Sequence, residues 1–206
     1  GGFAYWPGQS NPDQWASSYA GHFMVEAKAK GYEVPANLLT DWAKFQKKVA
    51  RMWDPKMPAF GFGSEESHQL NQAYRLYTLA LANQPDLASM NRLRELSELK
   101  QGAKWRLAAA YALAGKADAA KQLVGQAGTE VEEYNELSFT YGSATRDRAL
   151  ILETLVLIKD KRRAAELANY LSQQLNSKSW FSTQTVAQSL VAMARYVGEN
   201  KPADGF

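Results

Sequence analysis

Apolar residues recur at helical spacing along almost the whole chain, and the helices they mark are of two kinds. In the first, Trp15, Tyr19, Phe23 and Ala27 fall every four residues as one stripe, with Asn11 placed to cap, Pro12 at the first helical position and Gly31 as a left-handed stop. A second begins at Pro35, with Leu38, Trp42, Phe45, Val49 and Met52 on one side and Lys44, Lys47, Lys48 and Arg51 largely elsewhere. Pro55 and Pro58 end it, and MPAFGFGSEES is a loop of helix breakers. A nearly all-apolar helix over about 69–82 then turns at NQP into an amphipathic one carrying Leu87, Met90, Leu93 and Leu96. WRLAAAYALAG turns at Lys116 into ADAAKQLVG; after a polar connection, helices follow over about 144–158 and 163–175. A last apolar helix runs over about 183–197 before a tail, 199–206, expected to fray.

The phrases repeat. An aromatic residue followed by Gly-Ser or Ser opens three of the apolar helices: Phe62-Gly63-Ser64, Tyr141-Gly142-Ser143 and Trp180-Phe181-Ser182. The turns align as LALANQPDLA, YALAGKADAA and LVLIKDKRRAA. A helical hairpin cannot bury its apolar face alone, so repetition implies stacked or ring-closed hairpins. Apolar helices surrounded by others, sheathed by amphipathic ones with a wet face, satisfy that pattern. Period-two alternation is confined to four or five residues around Ser138 to Tyr141. The predicted class is all-α, as a single domain over 1–206.

Composition narrows the function. A chain of 206 residues, 46% hydrophobic, is too apolar for disorder. Its 24 Lys and Arg against 21 Asp and Glu are spread out, and the densest run, Lys159 to Arg163, has no interleaved aromatics, so no nucleic-acid partner is expected. No segment reaches the roughly 20 apolar residues of a membrane span. With no cysteine there is neither a disulfide nor a thiolate metal site within these residues. The chain has no initiator Met and opens in the middle of a motif, as an excised piece of something longer would.

Candidate chemistry is sparse. His22 and His68 lie far apart and outside any metal-ligand motif; a core role suits His22 and a helix-entrance role suits His68. Glu65 and Glu66 stand where negative charge favours a helix N-terminus. Asp147 and Glu153 sit in or near an apolar helix, and Arg146, Asp147 and Arg148 are expected to pair locally or with an adjacent helix. Phe3, Tyr5, Trp6, Trp15, Tyr19 and Phe23 form a front cluster that a sugar or peptide groove would use, although aromatics at helical spacing are more often core. Neither a phosphate-cradling loop nor a nucleophile elbow occurs, and no catalytic, cofactor-binding or metal residue is assigned.

Two phrases resemble the thioester-containing domain of the α2-macroglobulin/complement family in its bacterial form: GGFAYWPGQSNPDQWASSYAGHFMVEAKAKGYEVP at the front and SWFSTQTVAQSLVAMARYV at the end. QAYRLYTLALANQP and YGSATRDRALILETLVLI fit the same pattern. The resemblance implies a partial α/α toroid with inner and outer helices, in an exported, multidomain, broad-spectrum protease trap. Its partners would be neighbouring domains and target proteases, in the periplasm or envelope. In that family a cut bait region triggers enclosure of the protease, and a Cys–Gln thioester acylates it or a nearby surface. The Cys-x-Glu-Gln motif is missing here, through truncation ahead of residue 1 or through loss in a paralogue. In some relatives a later His influences the thioester; no motif around His68 carries that role over.

Two rivals remain. A tetratricopeptide-like scaffold fits only WRLAAAYALAGKADAAKQLV, since no steady period near 34 is kept. An α/α-toroid enzyme acting on polysaccharide needs two facing carboxylates.

Overall fold

The computed structural model describes residues 1–56 and 64–200. Among them are nine helices: α1 (Gln14–Ala29), α2 (Ala36–Met52), α3 (Glu65–Leu81), α4 (Leu87–Arg94), α5 (Gln101–Leu113), α6 (Ala117–Val124), α7 (Ala144–Leu157), α8 (Lys161–Leu175) and α9 (Thr183–Glu199). The one β feature among the described residues is an isolated antiparallel bridge, Asn135 to Ser143, where the short alternation was read. The all-α expectation holds. The helices gather into two compact units, Gly1–Ala120 and Lys121–Phe206.

Serines of the repeated phrase start the helices. Ser64, Ser143 and Ser182 each accept a hydrogen bond from the backbone N–H three residues on, at 3.1, 3.1 and 3.2 Å, satisfying a donor that the first turn leaves open. Phe62 and Gly63 of the first phrase lie outside the described residues, as do Pro58 and most of the tail. α1 departs from expectation. Asp13, not Asn11, is its cap, accepting from Ala16 at 2.7 Å, and Pro12 lies outside the helix. An ionised carboxylate at a helix N-terminus is the stronger acceptor. α3 starts at Glu65, about a turn earlier than its apolar run, because Ser64 caps it there.

The aligned turns end the helices in one way. Asn83, Gly115 and Lys159 occupy the same repeat position and all have positive φ, 56°, 72° and 61°. The residue after each donates to the carbonyl five back: Gln84 to Leu79, Lys116 to Tyr111 and Asp160 to Leu155, at 2.8 to 2.9 Å. Each positive-φ residue donates to the carbonyl three back, completing a Schellman stop. Gly31, at φ 86°, closes α1 with the same pair of bonds, as its residue type predicts.

In the first unit α3 packs against α1, α2, α4 and α5, so Leu70, Ala73, Tyr74, Leu76, Tyr77, Leu79 and Ala80 are all buried. In the second, α7 packs against α8 and α9 and buries Ala149 to Leu152 and Leu155. α8 is amphipathic, with Ala164, Leu167, Ala168 and Leu171 inside. The stripe expected on α1 is only partly core. Trp15 is buried, yet the helix turns Ser17, Ser18, Gly21, His22 and Met24 inward and leaves Phe23 72% exposed. The indole of Trp42 causes this: it lies flat on the backbone at Gly21 and donates to the Ser17 carbonyl at 2.8 Å, which selects the face with small residues. Tyr5 and Trp6 of the front cluster are also exposed.

Candidate functional site

Of the groups singled out by sequence, His22, Arg146, Arg148 and Glu153 are buried among internal partners, whereas Glu65 and Glu66 stay exposed. In the first unit, His22 shares a 2.9 Å hydrogen bond between its Nδ1 and the Tyr74 hydroxyl, stands edge-on to Tyr74 and Tyr77, and has Nε2 3.7 Å from the Glu26 carboxylate. Arg106 of α5 lies over the Tyr77 ring at 3.9 Å. The histidine is 4% exposed, so a proton relay here has no route to a substrate. The expected core role of His22 is the one its contacts describe.

Arg75 was not foreseen. Fully buried in α3, it donates from Nε to Gln46 at 3.1 Å, from one terminal nitrogen to Gln14 at 2.8 Å and from the other to Gln72. These glutamines come from α2, α1 and α3, so one guanidinium ties three helices. Burial pushes its pKa down to about 10, which leaves it a cation at neutral pH. A glutamine at helical spacing resembles any surface glutamine, so only the fully apolar neighbours of Arg75 in sequence hinted at burial.

His68 lies in the first turn of α3, the helix entrance expected of it, stacked on Trp53 at 5.1 Å, with Nε2 3.0 Å from the Asp54 carbonyl. Glu65 accepts from Gln69 and pairs with Lys100 at 3.7 Å, in keeping with its place at a helix entrance.

The second unit holds the densest polar network. Arg146, fully buried, donates from Nε to Asp147 at 2.7 Å, to the Thr140 carbonyl at 2.9 Å and to the Tyr134 hydroxyl at 3.1 Å. Tyr134 in turn donates to Asp147 at 2.5 Å. Burial and then the Asp147 charge drive the Tyr134 pKa far up, so it stays a donor. Burial, the largest single influence on Arg146, would lower its pKa, but the charges and hydrogen bonds of Asp147 and Tyr134 together outweigh it and the net shift is upward. Gly142 is required: a Cβ there would come within 2.5 Å of both Arg146 and the Tyr134 oxygen. Arg148 reaches the other way, to Glu133 and the Tyr170 hydroxyl, each at 2.6 Å, and to the Val131 carbonyl. Glu153, 1% exposed, pairs with Arg195 of α9 at 3.2 Å. Thr185 bridges the two caps, 2.9 Å from Ser143 and 3.0 Å from Ser182. The local pair Arg146–Asp147 and the reach of Arg148 to Tyr170 on the adjacent α8 follow the sequence reading; the α7–α9 clamp was not legible.

A cleft of about 180 Å³ in the second unit is lined by Leu155, Lys159, Asp160, Tyr196, Glu199 and others. Asp160 there caps α8 and accepts from Arg163 at 2.8 Å; burial opposes its ionisation, but that guanidinium and the capped amide hold its pKa below the usual range. Such a carboxylate suits a fixed anion rather than a general acid.

Known proteins resemble this chain both in sequence and in this arrangement of helices. Escherichia coli (strain K12) alpha-2-macroglobulin is 28% identical over 195 residues, which take in 89% of this chain and 11% of that protein. The crystal structure of native E. coli alpha-2-macroglobulin from domain MG7 to the C-terminus matches 95% of this chain at 26% identity with a TM-score of 0.76. Over these residues the chain is similar to bacterial alpha-2-macroglobulin in sequence and in fold. It spans 31% of that crystallised chain and 12% of the cryo-EM structure of native E. coli alpha-2-macroglobulin, matched with a TM-score of 0.78. Salmonella alpha-2-macroglobulin reacted with methylamine shares the fold, at a TM-score of 0.79 and 22% identity. No protein-family model matches. The fold class is thus all-α of the α/α-toroid type. Among the described residues no helix is long and apolar enough to cross a membrane.

Proposed function

We propose that residues 1–206 form one structural domain of a bacterial alpha-2-macroglobulin-like, broad-spectrum protease inhibitor that traps proteases in the periplasm or cell envelope. The observation that carries this reading is similarity over nearly the whole chain, in sequence and in fold, to E. coli alpha-2-macroglobulin. Solved relatives from E. coli are activated by trypsin and by porcine elastase, which is the behaviour of a trap with many targets. On this reading the domain has no catalytic, cofactor-binding or metal residue, and its partners are neighbouring domains and the captured protease. Its buried Arg75 and Arg146 each join two or three helices or loops, as suits a part that holds its shape. Any acyl transfer to an amine, the class of reaction methylamine undergoes with the Salmonella relative, draws its thiol from outside these cysteine-free residues.

The test is to incubate the full-length polypeptide with trypsin and compare two substrates. Trapping predicts that cleavage of casein falls while cleavage of a small chromogenic peptide persists. Unchanged casein cleavage at a molar excess of the polypeptide contradicts the proposal.

A further inference from the structure

The cations of this chain are spread along the sequence, but folding gathers several of them on α2. From Trp42 to Trp53 the chain carries Lys44, Lys47, Lys48 and Arg51 and no acid, so of the net charge of +3 the rest of the chain keeps −1. At 3.6 residues per turn, Lys44, Lys48 and Arg51 fall within about 60° of arc on the side turned away from the core. The side chains of Lys44 and Arg51 are 75% and 67% exposed, and Lys48 is exposed between them. Lys47 flanks the stripe and donates to the neutral side chain of Gln84 at 3.0 Å. Arg92 of α4 adds a further cation at the end of α2, donating to the carbonyls of Ala50 and Arg51. Two acids answer this set. Asp86 holds Arg51 at 2.8 Å, and Asp41 stands 3.8 Å from Lys44, an exposed pair of little energetic weight. Asp54, beyond the helix, is offset by Lys56, and Lys48 pairs with no acid among the described residues. Met52, 71% exposed, stands beside the stripe next to Arg51.

We infer that this face of α2 docks on a bilayer bearing anionic phospholipid headgroups, with Met52 entering the headgroup layer. The inference rests on the reading of the chain as part of an envelope protein. Four observations select this occupant. Lys44 to Arg51 span about 10 Å of one convex helix, a shape that meets a plane of many anions better than a single small one. Three of the four cations in the run are lysines, which protein–protein interfaces disfavour, whereas a strongly hydrated ammonium keeps its water at a lipid surface. Trp42 and Trp53, the aromatics that bound the run, are buried rather than offered to the bases of a nucleic acid. An exposed thioether beside ammonium groups is the combination interfacial helices use, apolar contact added to attraction for anionic lipid. The buried face of α2, with Trp42, Ala43 and Ala50, stays with the core, so the helix lies on the surface and does not insert.

The test is co-sedimentation of the 206-residue chain with vesicles of phosphatidylcholine and phosphatidylglycerol, and with vesicles of phosphatidylcholine alone. Binding is expected to the mixed vesicles only, and to weaken as salt is raised. Each basic residue near such a surface strengthens binding about fivefold, so Lys44→Gln with Lys48→Gln should weaken it about 25-fold. Lys161→Gln with Lys178→Gln removes the same charge from exposed positions elsewhere and should change it less than about twofold. Lys44→Arg with Lys48→Arg should bind as the parent does, and circular dichroism checks that each variant keeps its helix. In the full-length polypeptide, acetylation of Lys44 and Lys48, read by peptide mapping, should slow when mixed vesicles are added, with Lys178 unchanged. Absent binding, equal binding to both vesicles, or equal weakening by the two glutamine pairs overturns the inference. So does a full-length polypeptide in which Lys44 and Lys48 resist acetylation before lipid is added, which assigns the face to another protein surface. Casein protection is measured without lipid, so this surface and the protease-trap reading fail separately.

Discussion

Replacing Gly21 by alanine tests the packing of the first unit at its tightest point. A Cβ built at Gly21 stands 2.0 Å from Trp42 Cε2, 2.2 Å from Cζ2 and 2.3 Å from Nε1. Carbon atoms pack at about 3.5–4.0 Å, so the indole must retreat by about 1.5 Å. Trp42 is fully buried and cannot swing into solvent without losing its core contacts. The retreat also stretches its bond to the Ser17 carbonyl, worth about 1 kcal/mol. Overpacking of this kind costs about 1–3 kcal/mol, and the better helix propensity of alanine returns about 1 kcal/mol. The expected net loss is about 1–3 kcal/mol, a fall in Tm of about 2–12 °C for a chain of this size. Gly102→Ala is the matched control: in α5 its Cβ meets only Leu70 Cδ1 at 3.8 Å, so it should stabilise by about 0.5–1 kcal/mol. Urea unfolding followed by tryptophan fluorescence and thermal scans reads both. If Gly21→Ala matches Gly102→Ala in sign, the indole does not sit where the argument needs it.

Arg146→Met leaves Asp147, Tyr134 and the Thr140 carbonyl without their shared donor and should cost about 3–5 kcal/mol in urea unfolding, far more than Arg162→Met on the exposed face of α8. Lys159→Gly relieves a left-handed lysine and should gain about 0.5–1 kcal/mol, whereas Gly115→Lys at the aligned position should lose a similar amount. At Asp86, burial opposes ionisation but Arg51 and the Ser89 amide win, so its pKa lies below the usual carboxylate value, as does that of Asp160. Their contribution is therefore complete above about pH 3.9, the unfolded value, and is lost as pH falls through the lower folded values. Asp86→Asn should flatten that acid limb of a stability-versus-pH curve while lowering stability at pH 7.

How much of this was legible follows from range. Helix ends depend on a few neighbouring residues, so the serine caps and the left-handed turn positions at Asn83, Gly115 and Lys159 stood in the sequence as repeated phrases. Failures begin where a distant side chain decides. The face of α1 is set by Trp42, 21 positions after Gly21, so periodicity alone put Phe23 in the core. The partners of Arg75 come from three helices and are all glutamines, a residue type that carries no burial signal. The polar face of α9 read as apolar because Val186, Leu190, Met193 and Val197 dominate its pattern, although they face away from α7. The candidate acids were placed correctly on their helices; that Glu153 belongs to Arg195 needed the third dimension.

The most direct test of the central claim is an experimental structure of the full-length polypeptide by cryo-EM. The account predicts the nine helices α1 to α9 over the described residues, with Ser143, Thr185 and Ser182 bridged and the chain superposing on native E. coli alpha-2-macroglobulin at a TM-score near 0.76. A β-rich fold over these residues, or a superposition below about 0.5, contradicts it.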